Sequence, residues 1–139
     1  MSITQYAPRS VCVVVPGRVQ SQNAKVRFGN GHQHNSPKTV TYQDNVRQYA
    51  WLAAQAAGWT PPPCTRVIFT VWNTFIDADN ACKLAMDSIK GVFILDDNRT
   101  CMREFSCAHK LDDQGPRLEI QVDEAEALVK PPKPKKGKV

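Results

Sequence analysis

The sequence lacks a long apolar run: nowhere in its 139 residues are 18 consecutive apolar residues found. A membrane-spanning helix needs about 20 of them, so no membrane span is expected. The opening segment MSITQYAPRS lacks a basic stretch followed by an apolar one, so no signal peptide is expected either. The five cysteines include no C-x-x-C pair. This predicts reduced, buried thiols in a cytoplasmic protein and gives only weak support for a zinc site.

Charges of opposite sign are separated along the chain. Residues 1–48 carry six Lys or Arg and one Asp, residues 49–129 carry seven Lys or Arg and twelve Asp or Glu, and residues 130–139 carry five Lys and no acid. Basic ends predict a polyanionic partner, which the acidic middle should repel. A bound divalent cation would remove that contradiction. One domain over residues 1–129 and a disordered Lys/Pro-rich tail over 130–139 are expected.

The apolar patterns predict four strands and two helices. The strands are expected at 10–17, 65–76, 99–110 and 117–125, and the helices at 40–59 and 79–91. A polar loop over 18–38 separates the first strand from the first helix, with a short hairpin around Gly29–Gly31. The order β-loop-α-β-α-β-β predicts an α+β fold, a small mixed sheet with both helices on one face and strand 65–76 at its centre.

Two sets of residues are expected to be part of the core, one on the first helix and one made up of the tryptophans. Its buried face is predicted from three- and four-residue steps, at Val46, Tyr49, Ala50, Ala53, Ala56 and Ala57. The three tryptophans, Trp51, Trp59 and Trp72, are also expected to be core rather than platforms for stacked bases.

Five aspartates are crowded into the stretch FIDADNACKLAMDSIKGVFILDDNRT (75–100). Asp77 is predicted at the end of a buried strand and Asp79 at the start of a helix, so both carboxylates can point to one place. Lys83 and Asp87 follow Asp79 at four-residue steps on the same helical face. A helix that packs back along the sheet would bring the turn with Asp96 and Asp97 towards Asp77.

Converging carboxylates repel one another unless a cation neutralises them. Hard oxygen ligands favour Mg²⁺ or Mn²⁺, which can polarise a phosphoryl group and activate water. Lys83 would hold the scissile phosphate or assist the attacking water or the leaving group, and basic side chains would bind the flanking DNA backbone. These DNA-binding candidates are Arg18, Lys25, Arg27 and Lys38 in the loop, and Lys133, Lys135 and Lys136 in the tail. Together they describe a metal-dependent nuclease.

Simpler interpretations exist for each element. Asp79 or its neighbour can be a helix N-cap, Asp96-Asp97-Asn98 a turn, and Lys83 part of an exposed ion-pair ladder. His32 and His34 are more typical of a solvated loop than of a metal site. An EF-hand starting at Asp77 is excluded, because Ala81 and Cys82 stand where it needs an oxygen ligand and a glycine. A small phosphatase with Asp77 as nucleophile remains an alternative, although its usual Thr is missing.

The stretch DADNACKLAMDSIKGVFILDDNRT resembles the signature of the RusA-type Holliday junction resolvases. That signature is D-x-D-N, a Lys three residues after the Asn, an Asp four beyond the Lys, and D-D before a strand. It is matched here by Asp77, Asp79, Asn80, Lys83, Asp87, Gly91, Asp96 and Asp97. The segment VVVPGRVQSQNAKVRF is similar to the strand, Pro-Gly and basic loop of that family, and the resemblance covers roughly residues 10–123.

The resemblance implies a homodimeric, Mg²⁺-dependent endonuclease of bacterial or prophage origin, cytoplasmic and nucleoid-associated. Such enzymes bind branched DNA, namely four-way junctions, and nick two strands symmetrically. Asp77, Asp79 and Asp97 correspond to the catalytic metal ligands and Lys83 to the catalytic lysine, with Asp96 as a further ligand and Asp87 in second rank. The alternative within the same fold is a DNA-binding protein without catalysis, which would need no metal.

Overall fold

The computed structural model describes residues 9–20, 25–27, 33–35, 37–98 and 100–126, and the side chains of residues 25–27, 33–35, 78 and 79 are not described. The described part contains six strands and two helices. In chain order they are β1 (Ser10–Pro16), β2 (Lys25–Arg27), β3 (Gln33–Asn35), α1 (Pro37–Ala57), β4 (Thr65–Trp72), α2 (Ala78–Ile89), β5 (Met102–Lys110) and β6 (Arg117–Glu124). The α+β class is confirmed, and the order agrees with the predicted one, with the hairpin β2–β3 in the loop between β1 and α1.

Four strands form one mixed sheet in the order β1-β6-β4-β5. β6 pairs antiparallel with both β1 and β4, and β4 pairs parallel with β5. The parallel pair needs a crossover, which α2 supplies. The predicted central position of β4 is confirmed. The last two strands, although joined by a short loop, are not neighbours, because β6 lies between β1 and β4.

One face of the sheet is apolar and carries both helices. Alternate residues of β1, β4 and β6 are buried on it, and these are Val11, Val13, Val15, Val67, Phe69, Val71, Leu118, Ile120 and Val122. α1 packs against β1, α2 packs against β5, and the two helices contact each other. The prediction that both helices cover the same face is therefore confirmed.

The buried face of α1 differs from the predicted one. It consists of Thr39, Tyr42, Val46, Ala50 and Ala54, whereas Tyr49, Ala56 and Ala57 are exposed. The helix also begins three residues earlier than expected, at Pro37, where the missing N–H of proline costs nothing in the first turn. The buried residues follow one another at steps of three or four along one side of the helix. The predicted set lies partly on a neighbouring side, because alanines are compatible with both a buried and an exposed position.

Tryptophan and cysteine burial only partly follows the prediction. Trp59 is buried, Trp72 is half-buried, and Trp51 is 52% exposed, so the assignment of Trp51 to the core is wrong. All five cysteines are free thiols, but Cys12 is exposed on the open sheet face rather than buried. Within the described residues, no helix is long and apolar enough to cross a membrane.

The basic loop contains the predicted hairpin. β2 and β3 pair antiparallel, with Lys25 opposite Asn35 and Arg27 opposite Gln33. The turn around Gly29–Gly31 lies outside the described residues, as do His32 and the lysine tail.

Candidate active site

The loop between β4 and α2 carries Asp77. β4 ends at Trp72, four residues earlier than predicted, so Asp77 follows a loop rather than the strand itself. The carbonyl oxygen of Asp77 accepts a hydrogen bond from the N–H of Ala81 over 3.0 Å, which makes Asp77 the N-cap residue of α2. The interpretation of Asp79 as the cap is wrong, because α2 begins at Ala78 and Asp79 lies within the helix.

One face of α2 lines a cleft of about 370 Å³ that also contains an acidic residue of the following loop. Lys83 and Asp87 lie one helical turn apart on this face, and Asp97 lies across the cleft from the helix. The remaining lining side chains are Cys82, Met86, Met102 and Phe105. The structure therefore brings together three residues of the predicted site, an exposed ammonium and two carboxylates, beside an apolar wall.

Lys90 holds three aspartates at the end of α2. Its Nζ atom lies 3.2 Å from Oδ1 of Asp87, 3.2 Å from Oδ2 of Asp97 and 4.0 Å from Oδ1 of Asp96. Desolvation alone would lower the pKa of Lys90, but the hydrogen bonds and charges of Asp87 and Asp97 together outweigh it, and the pKa is raised. Lys90 is therefore a protonated cation among carboxylates at neutral pH, although it was not among the predicted site residues.

The segment after α2 is fixed by two side chains and by a glycine that ends the helix. Arg47 on α1 donates from Nε to the carbonyl of Ser88 and from Nη2 to that of Lys90, both over 3.2 Å. Gly91 ends the helix with a φ of +80°, a conformation that suits glycine. The indole N–H of the buried Trp59 donates to the carbonyl of Phe93 over 3.0 Å. These contacts hold the backbone from which Asp96 and Asp97 project.

Asp96 is part of a hydrogen-bonded turn, as the simpler interpretation predicted. Its carboxylate accepts from the N–H of Asp97 over 2.8 Å and from the side-chain amide of Asn98 over 3.2 Å. The backbone N–H of Asp97 is the main cause of the lowered pKa of Asp96, and the charge of Lys90 adds to it. Asp96 thus stays ionised, with both oxygens already engaged.

Asp77 lines a different cleft, which opens at the other end of α2. This cleft of about 690 Å³ is formed with Thr74, Phe75, Ile76, His109, Lys110 and Leu111. Asp77 precedes the first residue of α2 and Asp97 contacts Lys90 just beyond the last, and the 12-residue helix between them is about 18 Å long. Asp97 thus shares a cleft with Lys83, and Asp77 shares another with the end of β5. The side chain of Asp79 is not among those that the structure describes.

Phe75, two residues before Asp77, is 87% exposed. An exposed aromatic ring beside a candidate site offers a surface for stacking a base. Phe75 is not recognisable from the sequence as a site residue, because a phenylalanine in an apolar run is typical of the core.

A polar brace positions the loop that carries Phe75 and Asp77. Asn73 has a left-handed φ of 57° and exchanges two hydrogen bonds with Asp112, over 2.7 and 2.9 Å. Arg117 donates to the same carboxylate over 2.6 and 3.1 Å, and its guanidinium lies 4.4 Å from the centre of the Trp72 ring. These contacts tie the end of β4 to the β5–β6 loop, which spacing in the sequence could not reveal.

Two of the predicted DNA-binding residues share one cleft. Arg18 after β1 and Lys38 in the first turn of α1 are exposed and line a space of about 420 Å³. The other residues around it are Pro16, Gly17, Gln20, Pro37, Thr41, Tyr42 and Asn45, and none of them is acidic. For Lys25 and Arg27 the structure gives the backbone alone, and Lys133, Lys135 and Lys136 lie outside the described residues.

The donor chemistry fits a hard cation. Among the described side chains, no three His, Cys, Asp or Glu residues form a group that could hold a metal ion. Mg²⁺, however, commonly takes one or two carboxylates and completes its shell with water and phosphate. Asp87 and Asp97 are two partly exposed carboxylates that line one cleft, and the ammonium of Lys90, 3.2 Å from Oδ2 of Asp97, is a cation that the structure already accommodates there.

Comparison with known proteins identifies the family of the chain. Residues 16–123 match the family model described as endodeoxyribonuclease RusA, and this match includes both clefts along α2 and the basic cleft. No curated protein matches the chain significantly. Because the matched segment covers most of the sequence, the chain belongs to the RusA family of endodeoxyribonucleases, whose members hydrolyse phosphodiester bonds at Holliday junctions.

Proposed function

We propose that the protein is a Mg²⁺-dependent endonuclease that resolves four-way DNA junctions by paired symmetric nicks as a homodimer. The observation that carries the proposal is the cleft in which Lys83, Asp87 and Asp97 meet. A protein that only binds DNA has no use for carboxylates beside phosphate, because they repel it. Carboxylates next to a lysine are, by contrast, what phosphodiester hydrolysis with a metal needs.

Asp79 and Asp97 are the primary metal ligands in this proposal. Lys83 lines the cleft with Asp97, and the backbone of Asp79 lies one helical turn before Lys83, which supports the choice of these two carboxylates. Asp77 and Asp96 are secondary ligands, since Asp77 lines the neighbouring cleft and Asp96 is engaged in its turn. When bound, Mg²⁺ would supply polarisation of the phosphoryl group and an acidified water; Mn²⁺ is expected to substitute for it.

Lys83 acts on the phosphate in this scheme. Its ammonium is exposed at the cleft and can donate to a non-bridging oxygen of the scissile phosphate, where negative charge increases in the transition state. Asp87, one turn further along the helix, lines the same cleft as Lys83 and lies 3.2 Å from the ammonium of Lys90, and it is expected to orient lysine side chains rather than to bind the metal.

The basic cleft at Arg18 and Lys38 would hold the DNA backbone away from the site of hydrolysis. Both side chains are exposed and none of the described residues that line their cleft is acidic, so phosphates are attracted there without a metal. A homodimer follows from the substrate: a four-way junction is two-fold symmetric, and two symmetric nicks need two related active sites.

The test is cleavage of a synthetic four-way junction by the full chain, with each strand labelled in turn. Mg²⁺ is expected to give nicks in two strands of like polarity at equivalent positions, and EDTA to abolish them. A linear duplex of the same arm sequence is the control substrate and is expected to stay intact. Stable binding to the junction without product in Mg²⁺ or Mn²⁺ would instead identify a binding protein.

A further inference from the structure

Lys90 occupies the position of a counter-ion beside the proposed metal ligand Asp97. Its ammonium lies 3.2 Å from Oδ2 of Asp97 and 3.2 Å from Oδ1 of Asp87, and Asp96 is 4.0 Å away. Three carboxylates so close together would repel one another without this cation. Their side chains are between 41% and 51% exposed, so an incoming metal ion can reach them.

The arrangement differs from an ordinary surface ion pair because one ammonium contacts carboxylates of the helix and of the following turn, and because the lysine backbone has further contacts of its own. Arg47 on α1 donates to the carbonyl of Lys90 over 3.2 Å, and Lys90 forms a β-bridge with the buried Ile94. Exposed ion pairs usually contribute little because both partners must be ordered. Here the cost of ordering the Lys90 side chain is offset by contacts with more than one carboxylate, and charges that form such a network contribute more than an isolated pair.

We propose that Lys90 is a positioning residue that holds Asp97 in place before the metal ion binds and thereby lowers the affinity of the site for that ion. This inference rests on the proposed metal-binding role of Asp97. Both consequences come from the same contact. The hydrogen bond to Oδ2 orients the carboxylate, and the positive charge repels a second cation that approaches the same group.

The two consequences predict opposite changes when the ammonium is removed. In Lys90→Met, the aliphatic stem remains but the charge is lost, so Mn²⁺ should bind about tenfold more tightly at low salt. Single-turnover cleavage of a junction at saturating Mn²⁺ should become slower, because Asp97 is no longer held. Merely local damage to the fold would weaken metal binding and slow cleavage together.

The experiment titrates Mn²⁺ into the full chain without DNA and follows the free aquo ion by electron paramagnetic resonance. Lys90→Arg keeps the charge and is expected to bind Mn²⁺ as the wild type does. Arg66→Met is the matched control: it removes one exposed cation and its ion pair with Glu104, 3.4 Å away on the open sheet face. It is expected to change neither metal binding nor cleavage, and circular dichroism checks the fold of each variant.

Every outcome of the titration decides the proposal. Mn²⁺ binding by Lys90→Met that is unchanged or weaker, or an equal gain in Arg66→Met, overturns it, as does cleavage by Lys90→Met at the wild-type rate. If the wild type binds no Mn²⁺ in this titration but Lys90→Met does, the proposal is supported. If neither protein binds Mn²⁺, the proposal is overturned. If the wild type nicks junctions in Mg²⁺ and Lys90→Met binds Mn²⁺ as the wild type does, the proposed function is supported and the proposed role of Lys90 is wrong.

Discussion

The guanidinium of Arg47 donates a hydrogen bond to the carbonyl oxygen of Lys90 over 3.2 Å and so joins α1 to the acidic end of α2. A second bond reaches the carbonyl of Ser88. The last carbonyl groups of a helix have no hydrogen-bond donor within that helix. Arg47 supplies donors from the neighbouring helix to the carbonyl oxygens of Ser88 and Lys90. Through Lys90, this contact connects the packing of the two helices with the position of Asp97.

Replacement of Arg47 by Met should therefore affect both stability and cleavage. We expect a loss of about 1–2 kcal/mol in the free energy of unfolding, measured by urea denaturation, because two hydrogen bonds to carbonyl groups are lost. Junction cleavage should fall several-fold as Lys90 becomes less ordered. Arg47→Lys, which can reach one carbonyl but not both, should be intermediate. Unaltered stability of Arg47→Met would show that solvent replaces these hydrogen bonds without cost.

Phe75 is the most exposed of the large apolar side chains near the site, at 87%. We expect Phe75→Ala to weaken junction binding or cleavage by roughly tenfold, since stacking of one base on an aromatic ring contributes about 1–3 kcal/mol. The thermal unfolding midpoint should not fall, because the ring packs against little. Leu52→Ala, a 52% exposed position on α1, is the control and should cleave normally. Destabilisation of Phe75→Ala without an effect on DNA would assign the ring to packing instead.

Arg18 and Lys38 are expected to bind phosphates. The double variant Arg18→Gln/Lys38→Gln should bind junctions of different sequence equally more weakly, and the slope of log K against log salt should decrease by about two. Filter binding or fluorescence anisotropy over a range of salt concentrations measures this slope. Arg66→Gln, on the open sheet face, should leave it unchanged. An unaltered slope in the double variant would mean that its cleft does not contact DNA.

The brace around Asp112 predicts a pH-dependent contribution to stability. Hydrogen bonds from Arg117, then Asn73 and Gln114, hold the pKa of Asp112 well below its usual range. A carboxyl group whose pKa is lowered by folding stabilises the native state at pH values above the pKa that it has in the unfolded chain. This stabilisation is lost as the pH falls through the pKa that the group has in the folded protein. Asp112→Asn should therefore unfold at a lower temperature than the wild type at neutral pH, and the difference should shrink below about pH 4. A difference that is the same at pH 7 and pH 2 would contradict this.

The regular part of the fold was predictable from the sequence. β4 and β6 are short, strongly apolar or strictly alternating segments, and such periodicity depends only on which side chains face the core. The grouping of Lys83 with Asp87 was also predictable, because four-residue spacing on a helix places side chains on one face.

The rest depended on tertiary contacts that spacing does not encode. Lys90 falls near the end of the predicted helix over 79–91, and no spacing in the sequence connects it with Asp96 and Asp97, which come from a segment held by Trp59 and Arg47. Trp51 is exposed because its position on α1 lies away from the line of buried residues, although a tryptophan is usually buried for the most part. The position of β6 between β1 and β4 depends on pairing between strands that are distant in the sequence, and no local sequence pattern indicates it.

The carboxylates along α2 are the centre of the proposed function, and Asp79→Asn is their most direct test. On one labelled four-way junction in Mg²⁺, cleavage and binding are measured for the wild type and for this variant. The variant should lose cleavage and bind the junction as tightly as the wild type or more tightly, because one charge that repels phosphate is removed while the basic cleft is intact. Cleavage by Asp79→Asn at the wild-type rate would contradict the assignment of the active site.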